Sequence, residues 1–238
     1  FGCNVPAIVS ARSSPSCSRT VCMSTIAFGS ACSYQLGATL AVFSAAGRPG
    51  LVLPYLLYLG ATTLLYARLI APRAARSPFN LLLTEGRVFL VAPSPAAVWR
   101  EMRGVLREFF RRALPVFFGI TAVASLLHWL GALRAASGLI EPAMAAFHLP
   151  PEASLAVVLA SVRKDGILLL GEEGLAASLS AAQLLTAVYL AGALLPCLVT
   201  CLTIAHELGW PSALKMVGRQ AAAAVVFSLA LAWGAPWL

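Results

Sequence analysis

Apolar residues run through this chain in stretches of bilayer length, and charged residues collect in the gaps between them. The first ~20 residues are the exception: small and polar, with Arg12 and Arg19, they read as a loop or interfacial segment beside a membrane. A Ser-, Gly- and Ala-rich apolar stretch follows over 21–46 and suits close helix packing. After "GRPG" a second span runs from Leu51 to Ala71, and Arg68, Arg73 and Arg76 mark its end as cytoplasmic. Between Phe79 and Arg112 the period changes: Val98, Met102, Val105, Leu106 and Phe109 share one helical face with arginines around the other, which predicts an amphipathic helix lying in the interface. A third span is expected over Ala113–Leu133, then a loop holding Glu141, Pro142, His148, Pro150 and Pro151.

The next run, "ASLAVVLASVRKDGILLL", is membrane-like except for Arg163, Lys164 and Asp165. Each such charge costs about 2.5–3.5 kcal/mol at mid-bilayer even on insertion scales, so the segment must break, re-enter or turn these groups toward water or protein. Further spans are predicted over Ala181–Ile204 and Leu214–Leu231. The pattern as a whole gives five spans and one interrupted span, in an all-α, polytopic helical membrane protein with broken or re-entrant gate helices. Its parts are residues 1–20, the end of a first gate motif with a membrane-proximal loop; 21–78, a transmembrane pair; 79–112, the interfacial segment; and 113–238, a second gate region with transmembrane helices.

Composition sharpens this picture. With 60% hydrophobic and 11% charged residues and a mean hydropathy of +0.85, the chain has too little polar surface to coat a soluble globule. The net charge of +8 lies mostly between apolar stretches, where it faces anionic headgroups and cytoplasm. Nucleic-acid binding is disfavoured, because the basic residues are not interleaved with aromatics on any nucleic-acid motif. Cysteines 3, 17, 22, 32, 197 and 201 have no regular extracellular spacing and read as thiols, with a subset available as soft metal ligands. The missing initiating Met predicts a natural start upstream, so that this is a carboxy-terminal piece of a longer protein.

Two stretches carry candidate chemistry. In "GCNVPA" Gly2 permits unusual backbone angles, Pro6 removes a donor, and Asn4 is able to cap freed backbone groups, so a broken helix is expected with the Cys3 sulfur beside it. The plainer alternative is a helix start with a buried Cys. In "LPCLVTC" Pro196 interrupts the helix, Cys197 and Cys201 fall on one face if helix resumes, and Thr200 is placed to satisfy a freed carbonyl. Unwound carbonyls and half-helix ends bind ions where intact helix offers nothing, and two Pro-Cys breaks at opposite ends of one chain suit a transporter with two repeated halves.

These residues, in this order, resemble the two gate motifs of the FeoB ferrous-iron transporter family: Gly2-Cys3-Asn4-Val5-Pro6-Ala7 with Ala11-Arg12, and Pro196-Cys197-Leu198-Val199-Thr200. Between them Cys32-Ser33 with Leu36 is similar to the family's Cys-Ser-x-Arg-Leu-Pro segment, and Arg163-Lys164-Asp165 followed by "LSAAQL" to its charged gate segment; "HELG" at 206–209 fits the family's stretch just past the second gate. The chain departs from the pattern at Gln35 and Gly37, which stand where the family commonly has Arg and Pro, and no G-x-x-x-x-G-K-[ST] occurs. The resemblance implies inward movement of Fe(II) across a bacterial or archaeal cytoplasmic membrane. It also implies regulation by GTP and Mg in a GTPase domain absent from this chain, joined in cis or as a separate subunit. Partners are then membrane lipid, Fe(II) and that domain, with a homo-oligomer compatible and nucleic acid not expected.

Ferrous ion is borderline-soft, so sulfur with carbonyl and hydroxyl oxygen suits it and discriminates against magnesium and calcium, whereas copper and zinc must be excluded by geometry and supply. The expected ligands are Cys3 and Cys197, assisted by Asn4, Thr200 and Cys201, with Gly2, Pro6, Pro196 and Asp165 shaping the path. Asp165 either draws the cation in or pairs with its basic neighbours. His128 beside Trp129 reads as an interfacial anchor, His148 and Glu141 as an outer collecting pair, Cys17 and Cys22 as free thiols or a redox pair, and Glu172 and Glu173 as a solvated loop. Competing readings are a gate-fold transporter of manganese, zinc or nucleosides, an intramembrane enzyme, and a split scaffold subunit. Few Asn, Gln or Glu residues lie inside the spans to hold a nucleoside, and neither H-E-x-x-H nor G-x-S-x-G is present, so the chain itself is not expected to be an enzyme.

Overall fold

A computed structural model describes residues 3–14, 16–29, 32–72, 94–108, 110–111 and 114–234. Among these the backbone is overwhelmingly helical and forms no strand. Three helical stretches are long and apolar enough to cross a membrane, Pro49–Ile70, Ala181–Leu208 and Trp210–Gly234. A pair bent by 74° at a short break, Thr121–Leu127 with Ala132–Phe147, makes a fourth if it is counted as one span. Among the described residues that is fewer than the five spans and one interrupted span expected, and the difference there lies in where the helices break.

The amino-terminal stretch expected as a loop is helical: α1 covers Asn4–Ser10, a 3-10 turn Ala11–Ser13 follows, and α2 spans Ser16–Gly29. Pro6 lies in the first turn of α1, where its missing N–H has no helical partner to lose. The apolar run 21–46 is not one span but the end of α2 and a second helix, α3 (Ser33–Ala45), which Cys32 caps by accepting from the Gln35 backbone N–H at 3.4 Å. The expected second span is α4, Val52–Ile70. Of the interfacial segment, the part from 79 to 93 lies outside the described residues; the rest is α5, Pro95–Glu108, with Val98, Met102 and Leu106 exposed on one face. The third expected span is α6 (Leu114–Trp129), turned by Gly131 in the left-handed region (φ 72°) into α7, Ala132–Met144. Glu141 and Pro142 therefore belong to a helix and not to a loop.

The charged segment breaks as its charges require. Helix α8 (Ala153–Val162) stops at an extended Arg163, and a 3-10 segment, Lys164–Gly174, leads through α9 (Leu175–Ser178) into α10, Ala181–Ala193. Ser180 opens α10 with a reciprocal capping box to Gln183. Residues 194–197 leave the helix, α11 runs Leu198–Leu208, and α12 runs Trp210–Gly234.

Every residue of α10 from Leu184 to Ala193 is buried, and α3, α4, α8, α12 and the 3-10 segment pack around it. Small residues on its surface, Ala187, Ala191 and Gly192, let those backbones approach. Hydroxyls tie the layers together: Tyr58 Oη donates to the Phe227 carbonyl at 2.7 Å, and Tyr189 Oη lies 2.9 Å from Thr62 Oγ1. Outward, α4 presents Leu53, Leu57, Leu64 and Leu69 to its surroundings, as a lipid-facing helix does. Where α2 crosses α4, a Cβ on Gly29 would stand 1.9 Å from Thr63 Oγ1 and 2.6 Å from its Cβ. Gly29→Ala is therefore expected to destabilise the protein by about 1–3 kcal/mol through overpacking, read as thermal unfolding in detergent. Gly37→Ala, which meets nothing within 4 Å, is the control and is expected to cost nothing.

Candidate functional site

Both Pro-Cys stretches place their cysteine at the start of a short helix. Cys3 is the N-cap of α1 and Cys197 the N-cap of α11, each with extended backbone angles. The two helices pack against each other, Ile8 of α1 and Ile204 of α11 both fully buried in one apolar cluster with Met23 and Met216. Cys3 and Cys197 lie within electrostatic reach of each other. At the opposite end, Arg12 embraces Glu207 with two hydrogen bonds, Nε to Oε2 at 2.8 Å and Nη2 to Oε1, while His206 Nδ1 stands 3.7 Å from the same carboxylate. The helices thus run side by side in the same direction, with sulfur at their starts and a charge clamp near their ends.

Cys197 is the hub of the site. Cys32 and Cys201 are also within its electrostatic reach, and so is Lys164. Its sulfur lies 3.1 Å from Thr200 Oγ1, so Thr200 addresses the sulfur and not a freed carbonyl as the sequence suggested. Cys201 does that instead, its Sγ donating to the Pro196 carbonyl at 3.5 Å. Pro196 is buried and Cys197 partly so, whereas Cys3 is exposed. Asn4 opens α1 beside Cys3. Gly2 lies outside the described residues. Cys3 and Cys197, from the two ends of the chain, thus open two packed helices within electrostatic reach of each other, and no three His, Cys, Asp or Glu side chains are near enough to hold a metal among the described residues.

Asp165 is not free to meet a cation alone: Arg163 grips it through Nε at 3.1 Å and through Nη2. The pair lines a cleft of about 340 Å³ with Ser125 and Glu172. His148 packs its ring against Trp233, centroids 4.5 Å apart, and its backbone adopts the left-handed region (φ 55°). Glu141 is exposed on α7 and belongs to no metal-holding group with it among the described residues. Cys22 packs against the apolar cluster of α1 and α11, whereas the side chains of Cys17, His128 and Glu173 lie outside the described residues.

Sequence reasoning misses two members of the site. The departures at Gln35 and Gly37 argue against a role for Cys32, yet it lies within electrostatic reach of Cys197, and Gln35 is built into the core, donating to Tyr55 Oη at 3.2 Å. Lys164 reads with its charged neighbours, yet its Nζ turns inward to the carbonyls of Gly192, at 2.7 Å, and Leu195. The one sequence signal for this is a lysine in an apolar run, which must find oxygen somewhere. Compared with known protein families, curated proteins and solved structures, the chain matches none.

Proposed function

We propose that this chain is the membrane permease portion of a ferrous-iron uptake transporter, moving Fe(II) into the cytoplasm of a bacterial or archaeal cell past Cys3 and Cys197. The observation that carries the reading is the convergence of those two cysteines, from opposite ends of the sequence, at the starts of two packed and clamped helices. Sulfur from both, hydroxyl oxygen from Thr200 and the carbonyls around the Pro196 break form the mixed soft and hard donor set that a borderline ion accepts in exchange for water. Sites assembled at helix breaks inside a bundle are where transporters bind their ions. The lipid-facing leucines of α4 and the long apolar helices support a membrane location. GTP and Mg belong, on this reading, to a GTPase domain in cis or on a separate subunit, and Asn4 and Cys201 assist the two principal sulfurs.

The test is uptake of radiolabelled Fe(II), kept reduced, by cells producing the natural protein and by cells without it. Uptake above background that excess Mn(II) and Zn(II) fail to suppress is the expected result. Uptake of Mn(II) or Zn(II) with none of Fe(II) would reassign the cargo, and no uptake of any of the three would remove the transporter reading.

A further inference from the structure

The carboxy-terminal end of α10 leaves a series of main-chain carbonyls without helical donors, because Pro196 has no N–H and residues 194–197 leave the helix. Two find single partners. Ala193 O accepts from Gln220 Nε2 at 3.0 Å, and Pro196 O from Cys201 Sγ at 3.5 Å. The oxygens of Ala191, Gly192 and Leu195 are different, for all three point at Lys164 Nζ, the first two at 3.5 and 2.7 Å. Three convergent carbonyls at the negative end of a helix attract a cation.

The group that meets them comes from the protein itself. The chain's two lysines are Lys164 and Lys215; the second is exposed, whereas the first is 8% exposed. Arg163 engages Asp165 on one side of the break, and Lys164 turns to the other, within electrostatic reach of Cys32, Cys197 and Cys201. A cation passing Cys197 meets these same oxygens next, and two positive charges cannot share them.

We propose that Lys164 is a tethered cation that closes the ion path: its ammonium occupies the carbonyl ring at the α10–α11 break in the absence of metal and is displaced from it when a divalent cation passes. This rests on the transporter reading and adds the device that shuts the path. Its placement suits the task, since Lys164 sits where α8 gives way to the 3-10 segment at the extended Arg163, a junction able to swing a side chain without unwinding a long helix. A lysine is fitted to three single oxygens as a compact point charge with three donors, which the planar fork of arginine is not.

Two measurements test it on the natural protein in proteoliposomes. Lys164→Met keeps the length of the side chain and removes the charge, and is expected to raise thallium(I) influx several-fold in the absence of Fe(II). In the wild type, acetylation by an amine-reactive ester is read by mass spectrometry at Lys164, with Lys215 as internal standard. Lys164 is expected to be protected without metal and to label several-fold faster with reduced Fe(II), while Lys215 does not change. Equal labelling with and without Fe(II), in vesicles that take Fe(II) up, overturns the proposal and leaves Lys164 as a fixed helix cap, whether or not the Met variant folds. Vesicles that take up no Fe(II), Mn(II) or Zn(II) refute the transporter reading instead; thallium influx through Lys164→Met then decides alone, a rise supporting closure by the ammonium and wild-type influx overturning it.

Discussion

Replacing either Cys3 or Cys197 with serine is expected to abolish most Fe(II) uptake at unchanged abundance in the membrane. Serine keeps the size and much of the hydrogen-bonding capacity of cysteine, so Cys197→Ser preserves the contact with Thr200 Oγ1 and the break after Pro196. What it removes is the polarizable sulfur, the donor that favours a borderline ion over magnesium and calcium. Loss of a partner one step removed from a metal already costs about 10–100-fold in affinity or activity, and loss of the donor itself is expected to cost no less. If the two sulfurs, which lie within electrostatic reach of each other, hold one ion, the double variant should be little worse than either single one. Cys22→Ser is the control: Cys22 packs against the apolar cluster of α1 and α11 and is not one of the expected ligands, and uptake should hold. Wild-type uptake in both Cys3→Ser and Cys197→Ser would end the assignment of sulfur to the ion path without touching the transporter reading. Additive losses in the double variant would mean that the cysteines act at separate sites.

What the sequence conveyed was the long helices and the breaks marked by Pro, Gly or charge, and what it concealed was the break between α2 and α3 and the helix at the amino-terminal end. Helices α4 and α12 were legible because a long apolar run has few alternatives in a membrane, and their prolines, Pro54 and Pro211, fall in the first turn where a helix tolerates them. The break between α2 and α3 was not, since residues 29–32 are small and apolar enough to pass as helix, and the Gly29 contact with Thr63 that fixes the crossing is a tertiary fact. The first 20 residues misled in the opposite direction: serines and arginines suggest a loop, but Pro6 in a first turn does not stop a helix. The need for a break near Arg163 was legible from the cost of its charges, and so was one of the two fates weighed for Asp165. Which way Lys164 would turn was not, because its partners are backbone carbonyls, and every residue type carries those alike. For the same reason the candidate site was half legible: its cysteines could be named from the sequence, but the oxygens opposite them exist only once α10 has stopped.

Those oxygens stay in register with Lys164 only while the 3-10 segment lies against α8, and Gly166 is the residue that lets it lie there. A Cβ at this position would stand 2.5 Å from the Ala160 backbone nitrogen and 2.6 Å from the Leu159 carbonyl carbon. Neither is the far end of a side chain that swings away, so relief requires moving one backbone from the other. Overpacking of this kind costs about 1–3 kcal/mol and occasionally more, and with backbone on both sides Gly166→Ala belongs at the upper end. The displacement falls two residues from Lys164, so the ammonium should lose its place in the carbonyl ring as the segment lifts from α8. Gly166→Ala is therefore expected to lower the unfolding temperature in detergent and to label at Lys164 even without metal. Gly171→Ala, in the same segment but with its nearest neighbour at an ordinary 3.7 Å, should do neither. A Gly166→Ala protein as stable as the wild type would show that the segment is not held by this contact. Lowered stability with Lys164 still protected would show that the ring holds the ammonium more firmly than α8 holds the segment, which makes the α10 end and not the α8 junction the anchor of the closed path.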